Sequence, residues 1–179
     1  MTTDIQSLMN VYRGWDGYQI SLVRAIAPLS REQLAYRPAP HVRSVGEIAN
    51  HLILGRIDWF NRMGAPGSAD LARQVAALGS RDTIAENPAE LVRWLEATWR
   101  MIENTLTRWT VTDLAQTYLH TYQEKSYAIS RQWTIWRILS HDIHHGGQLA
   151  ILLRAQGAAS HELGALGGHL TEPPLAEQS

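Results

Sequence analysis

Apolar residues recur every three to four positions in four long stretches of this chain, which is the periodicity of an amphipathic α-helix. The first stretch predicts a helix from about Thr3 to Ala27, which ends before Pro28 because proline cannot continue a helix interior. The second stretch opens with Ser44 and Glu47, a capping-box pair, and predicts a helix that runs to about Arg62.

The third and fourth stretches also carry boundary signals. Asn87 followed by Pro88 predicts an N-cap and a first helical position, and this helix should run to about Trp109. The fourth predicted helix runs from about Ser130 to Gln156, where Gly157 is a natural stop. Four amphipathic helices with polar connections predict an all-α fold, an antiparallel four-helix bundle with short extra helices or loops.

The connections are less regular than the helices. Residues 64–79 form a predicted connection with room for one short helix, and the polar segment Thr117 to Ile129 fits either a short hairpin or an irregular loop. Glycines and prolines near the end of the chain prevent a long regular element there. We expect one bundle domain over residues 1–170 and a disordered tail over residues 171–179.

Length, charge and cysteine content narrow the classes of function. At 179 residues, the chain can bury the core of a single domain without disulfides. Its 16 basic and 17 acidic residues leave no positive excess for binding nucleic acid. It contains no cysteine, so a thiol nucleophile would have to come from outside the chain. With no leader pattern and no apolar run of about 18 residues, we expect a cytoplasmic protein without a membrane partner.

The candidate chemistry lies in the fourth predicted helix. His141 and His145 are four residues apart, so both imidazoles project from one helix face and could bind a single metal ion. The structural alternative is a pair of core histidines, each with its own hydrogen-bond partner. His144 lies three residues from His141 and makes a second pairing conceivable, although position 145 lies nearer the centre of the apolar stripe.

Catalytic sites of the zinc type usually take three protein ligands and keep one position open. The candidate third ligand is His51 of the second predicted helix, at the border between its buried face and its rim; an ordinary surface histidine would also lie there. Asp142 could orient a ligand imidazole or pair with an arginine, and Gln148, one turn beyond His145 on the same face, could orient the bound ligand. Glu47 shares the side of the second helix with His51, so Asp142, Gln148 and Glu47 are further pocket candidates.

Seven tryptophans and six tyrosines are the other unusual feature of the composition. Trp59, Tyr127, Trp133 and Trp136 could line a pocket near the histidines, although aromatic sets in helical bundles more often form the core or a dimer interface. The apolar surface of the tryptophan-rich helices predicts a homodimer with two-fold symmetry.

Two segments together resemble the DinB/YfiT-like superfamily. They are residues 37–51, Arg-Pro-Ala-Pro-His-Val-Arg-Ser-Val-Gly-Glu-Ile-Ala-Asn-His, and residues 133–149, Trp-Thr-Ile-Trp-Arg-Ile-Leu-Ser-His-Asp-Ile-His-His-Gly-Gly-Gln-Leu. The order and spacing of these motifs agree with the family over nearly the whole chain. The resemblance implies a frequently dimeric four-helix bundle with one divalent metal, zinc or nickel, whose ligands correspond to His51, His141 and His145.

The resemblance also implies a type of reaction. Some members are thiol-dependent S-transferases or isomerases that use bacillithiol, mycothiol or glutathione. We therefore expect a metal-dependent thiol S-transferase that acts on a small-molecule substrate with an external low-molecular-weight thiol. A metal-dependent hydrolase needs the same three ligands, and a non-catalytic dimeric bundle with a structural metal is a third interpretation. A fourth protein ligand would close the site and favour the structural role.

Overall fold

The computed structural model of the chain describes residues 7–79, 82–161 and 163. The tail predicted for residues 171–179 lies outside the described residues. Within them, the chain forms α1 (Leu8–Val11), α2 (Trp15–Ile26), α3 (Arg31–Ala35), α4 (Val45–Arg62), α5 (Ser68–Ala77), α6 (Pro88–Arg108), α7 (Val111–Leu114), β1 (Thr117–Tyr122), β2 (Lys125–Ser130) and α8 (Arg131–Ala155).

The four long helices, α2, α4, α6 and α8, surround one apolar core, and the predicted all-α bundle is confirmed. α4 packs mainly against α8, and α2 packs mainly against α6. α4 and α8 run antiparallel, because His51 meets His145 towards one end of the pair and Trp59 meets Trp133 towards the other. No helix among the described residues is both long enough and apolar enough to cross a membrane.

The single helix predicted for residues 3–27 is wrong as a continuous element. Ser7 caps α1, which ends at Val11, and α2 begins only at Trp15. Gly14 between them adopts a left-handed φ of 104°, a conformation that cannot continue a right-handed helix. Its N–H donates to the Asp16 side chain at 3.0 Å, which gives the break a local hydrogen bond.

The other helix boundaries follow the sequence signals. The Ser44 hydroxyl accepts from the Glu47 N–H at 3.2 Å, and the Glu47 carboxylate accepts from the Ser44 N–H at 2.7 Å, so the predicted capping box is present. Asn87 caps α6 and Ser130 caps α8 through their side-chain oxygens. Gly157 follows the end of α8 with a φ of 71°.

The segment that fits either a hairpin or a loop is a hairpin. β1 and β2 pair in antiparallel register from Thr117 opposite Ser130 to Tyr122 opposite Lys125. The two turn residues, Gln123 and Glu124, both have positive φ, as a type I′ turn requires. β2 continues directly into α8, and the Tyr118 hydroxyl of β1 lies 2.6 Å from the Thr134 hydroxyl in the first turn of that helix.

A fully buried ion pair connects α4 to α8. The Arg56 guanidinium donates to the Asp142 carboxylate at 2.7 Å, and both side chains are 0% exposed. Arg56 also donates to Gln19 at 2.7 Å and Thr98 at 3.3 Å, and the Trp15 indole donates to Asp142 at 2.8 Å. All four long helices therefore meet in one polar network, which sets the position of α4 against α8 beside the histidines.

Candidate metal centre

Three imidazoles meet where α4 and α8 pack together. His51 comes from α4, whereas His141 and His145 come from successive turns of α8. One ring nitrogen of each histidine lies within 4.8 Å of the other two. The ring centroids are 4.4 Å apart for His141 and His145, 4.7 Å for His51 and His145, and 4.8 Å for His51 and His141. The structure thus brings the three candidate ligands together.

A glycine on α4 makes room for this cluster. Gly55 lies one turn after His51, and a Cβ at this position would come within 2.9 Å of Cε1 of His141. The His141 ring therefore rests against the bare backbone of α4. The sequence signal for this role was a glycine in a helix interior, which costs about 1 kcal/mol relative to alanine and needs a packing reason.

The cluster contains one closely spaced pair of nitrogens and one buried nitrogen without a hydrogen-bond partner among the described residues. Nε2 of His51 and Nε2 of His141 are 3.1 Å apart. Two nitrogens of a tetrahedral zinc site, with bonds of about 2.0 Å, are separated by about 3.3 Å, so this spacing fits a shared metal ion. Nδ1 of His141 is buried, and no group in the described ranges hydrogen-bonds to it. The two Nε2 atoms, and not this buried Nδ1, are therefore the candidate ligand atoms of His51 and His141.

Gln148 fixes the orientation of the third imidazole. Nδ1 of the buried His145 lies 2.7 Å from Oε1 of Gln148. Because an amide oxygen only accepts, His145 donates from Nδ1 and its Nε2 carries the lone pair that a metal requires. The Gln148 amide nitrogen lies 3.2 Å from Nε2 of His144. His144 is exposed and does not join the cluster, so the alternative His141/His144 pairing is not the one that the fold presents.

Burial keeps these imidazoles neutral, which is the form that binds metals. Loss of hydration lowers the pKa of His51 to about 4, with smaller contributions from Arg43 and His145. Burial and then the neighbouring His145 and His51 lower the pKa of His141 to about 3. The pKa of His145 is also lowered, chiefly by burial.

Asp142 and Glu47 do not contact the imidazoles through hydrogen bonds. The Asp142 carboxylate is used by Arg56 and Trp15, so of its two predicted roles the structure has the arginine pairing. Glu47 pairs with Arg37 at 2.7 Å and caps the start of α4, and it lines a cavity beside His51. Both residues therefore stabilise the helices that carry the histidines.

Two cavities flank the cluster, and one cation lines both. A cavity of about 460 Å³ is bordered by His51 and Arg43, and another of about 440 Å³ is bordered by His145 and Arg43. Sequence reasoning missed Arg43, because its proximity to the cluster depends on how the loop before α4 folds back. An anionic ligand at the histidines would meet this guanidinium.

Within the described part of the chain, no fourth His, Asp or Glu joins the three histidines, and the whole chain lacks cysteine. Three neutral imidazoles with cavities alongside could hold a divalent metal ion and leave a position for another ligand. The donor set and its spacing fit such an ion.

Comparison with known proteins agrees with this fold. The family model of the DinB superfamily matches residues 19–149, a range that contains all three histidines. A DinB-like protein from Bacillus cereus ATCC 10987 shares the fold with a TM-score of 0.67 and 16% identity, over 87% of this chain and 96% of that one. A DinB-like protein from Bacillus subtilis gives a TM-score of 0.62 and 15% identity, over 84% and 94%. No curated protein sequence matches this chain.

Proposed function

Since this chain belongs to the DinB superfamily, we propose that its three-histidine cluster binds zinc or nickel and that the protein is a metal-dependent thiol S-transferase acting on a small molecule. The observation that carries this proposal is a set of three histidine nitrogens within 4.8 Å of one another, with no fourth candidate ligand among the described residues. Three ligands and an open position are typical of catalytic metal sites.

His51, His141 and His145 would hold the divalent metal ion, which would act as a Lewis acid and lower the pKa of a bound thiol or water. The residues around the cluster support binding of an anion there. Arg43 borders the cavities on both sides, so its charge favours the anionic form of a ligand. The chain contains no cysteine, which is consistent with an external low-molecular-weight thiol as the nucleophile.

Gln148 and Gly55 contribute through the histidines and not through the substrate. Gln148 holds His145 in the tautomer whose Nε2 is free, and Gly55 leaves the space that the His141 ring occupies. Both are positioning residues. We further propose a cytoplasmic location, where low-molecular-weight thiols remain reduced.

Cobalt substitution offers a direct test of this function. Glutathione added to the cobalt-loaded protein should produce a thiolate-to-cobalt charge-transfer band, and the zinc-loaded protein should accelerate the alkylation of glutathione by 1-chloro-2,4-dinitrobenzene. Both signals should disappear in His141→Ala and persist in His144→Ala, which removes an exposed histidine outside the cluster.

Other outcomes of the same experiment would contradict the transferase. A metal-loaded protein that hydrolyses p-nitrophenyl acetate and shows no thiol band would be a hydrolase that uses water at the same position. A bound metal whose spectrum responds to neither thiol nor small anions would be structural.

The proposal includes a homodimer with two-fold symmetry. Support comes from large apolar side chains on the outer face of α8, where Trp136 is 59% exposed and Ile151 is 68% exposed. Light scattering coupled to gel filtration should give the mass of two chains, and Ile151→Ser should weaken the dimer. A monomer at micromolar concentration would contradict this part of the proposal.

A further inference from the structure

A third cavity opens along the α4–α8 groove, on the hairpin side of the histidines. It has a volume of about 800 Å³ and is hereafter the aromatic cavity. Its aromatic and charged lining comes from α4, α8 and the hairpin, and consists of Trp59, His120, Tyr122, Tyr127, Trp133 and Arg137. Trp136, the remaining aromatic residue expected near the histidines, does not line it.

Three rings from three different elements form one wall of the aromatic cavity. The centroids of Trp59 and Trp133 are 5.7 Å apart at 59°, and those of Trp59 and His120 are 5.0 Å apart at 48°. Trp133 remains 41% exposed. Clustered aromatic faces that stay open to solvent are suited to stacking against a planar apolar ligand.

One positive charge in this wall lacks a carboxylate partner. The Arg137 guanidinium carbon lies 4.7 Å from the Trp59 ring centroid and 5.5 Å from that of Trp133. Arg62 also lies over Trp59, but its charge is paired with Asp58 at 2.9 Å. Across the described ranges, Arg137 makes no ion pair with an Asp or Glu within 4.0 Å. Its charge is therefore available to an anion.

The aromatic cavity begins one to two helical turns from the histidines. Arg137 precedes His141 by four residues on α8, about 6 Å along the helix axis, and Trp59 follows His51 by eight residues on α4, about 12 Å. A small molecule in this cavity would lie end to end with a ligand on the three imidazoles. The groove between α4 and α8 thus has a histidine end and an aromatic end.

We propose that the aromatic cavity binds small aromatic carboxylates, with the ring against Trp59 and Trp133 and the carboxylate on Arg137. The planar guanidinium pairs with a carboxylate through two parallel hydrogen bonds, while the indole faces stack on the ring. A neutral aromatic compound would lose the ion pair, and an aliphatic acid would lose the stacking. This binding does not depend on the proposed function.

The test uses metal-free full-length protein and 2-naphthoate as the probe, measured by calorimetric titration. We expect 2-naphthoate to bind at least about tenfold more tightly than 2-naphthamide or cyclohexanecarboxylate. Arg137→Gln and Trp133→Leu should each weaken binding about tenfold or more. The matched control, Arg154→Gln, changes an exposed arginine of the same helix outside the cavity and should bind as wild type does.

Two results would overturn the inference: equal affinities for 2-naphthoate and 2-naphthamide, or undiminished binding in Arg137→Gln. Metal uptake measured on the same samples separates this inference from the proposed function. Metal uptake without naphthoate binding would refute the aromatic cavity alone. Naphthoate binding by a protein that takes up no metal would support the cavity and refute the proposed function.

Discussion

The α4–α8 interface contains two polar clusters that occupy neighbouring residues of α8. They differ in whether their buried polar groups have hydrogen-bond partners within the described protein. Asp142 forms a fully buried pair with Arg56, and Trp15, Gln19 and Thr98 complete its hydrogen bonds. His141, its chain neighbour, is partly buried against a glycine and keeps a ring nitrogen without a partner in the described ranges.

This difference separates a structural cluster from a binding cluster. Buried polar groups are normally hydrogen-bonded, and leaving one without a partner costs about 1–3 kcal/mol. The charged groups of the Arg56–Asp142 pair are hydrogen-bonded within the protein, so the role of this network is to fix the helices against one another. The histidine cluster keeps neutral, closely spaced imidazoles, and one of their ring nitrogens has no hydrogen-bond partner in the described ranges, which is the arrangement expected at a functional site.

The largest effect is expected from breaking the structural cluster. Asp142→Asn removes one charge and leaves Arg56 buried without its counter-ion, so the free energy of unfolding should fall by about 3–5 kcal/mol. Urea unfolding of the metal-free protein measures this change. Asp58→Asn is the matched control, because its pair with Arg62 is exposed and should contribute at most about 1 kcal/mol. Equal costs for the two substitutions would contradict the structural role.

The histidine cluster should make the metal-free protein sensitive to acid. The folded-state pKa of His51 is about 4 and that of His141 about 3, below the ordinary value of 6.5. Between pH 6.5 and about pH 3, the unfolded chain therefore binds protons that the folded chain does not. The histidines' contribution to the free energy of unfolding is complete above pH 6.5 and is lost as pH falls towards 3.

Unfolding at a series of pH values tests this dependence. The double variant His51→Gln/His141→Gln should lose less stability between pH 6.5 and pH 4 than the wild type does. His41→Gln, which changes an exposed histidine outside the cluster, is the control. An unchanged slope in the double variant would show that the cluster is not what makes the protein acid-sensitive.

The fit of His141 against α4 can be tested with a single methyl group. Gly55→Ala places a Cβ within 2.9 Å of the His141 ring, so the imidazole must move and metal affinity should fall about 10–100-fold. Gly147→Ala is the control, since nothing lies within 4 Å of a Cβ there, and it should keep metal affinity while gaining up to about 1 kcal/mol of stability. Equal metal affinities in both variants would contradict the proposed role of Gly55.

The smallest expected effect concerns the orientation of His145. Gln148→Ala removes the acceptor of the Nδ1 hydrogen bond and should reduce metal affinity about tenfold. Gln148→Glu keeps an acceptor at the same position and should restore most of the affinity. If both variants bind metal equally weakly, the hydrogen bond to His145 is not how Gln148 contributes to metal affinity.

Local signals predicted most of the fold. The caps at Ser44, Asn87 and Ser130 act within one turn, so their helices begin where the sequence indicates. The break at Gly14 was missed because apolar periodicity continues on both sides of it. The sequence did not decide between a hairpin and a loop, because the turn residues, Gln123 and Glu124, are not the Asn-Gly type that marks a type I′ turn.

The site was only partly predictable for a related reason. The i, i+4 spacing of His141 and His145 places them on one face of any helix. His51 lies 90 residues away, and it was predicted as a ligand from its place on the second helix and from the family resemblance. The Arg56–Asp142 pair, the space at Gly55 and the cavity at Arg137 depend on which helix faces pack together. Such contacts are not encoded in local periodicity.

Metal titration of the untagged protein most directly tests whether the histidine cluster is a metal site. Wild type, His51→Ala, His141→Ala, His145→Ala and the control His144→Ala should be compared by elemental analysis and calorimetry with zinc and nickel, with helical content matched by circular dichroism. We expect near-stoichiometric metal in the wild type and the control, and its loss in each of the three cluster variants. No metal in the wild type, or undiminished metal in those variants, would contradict a metal-binding role for the cluster.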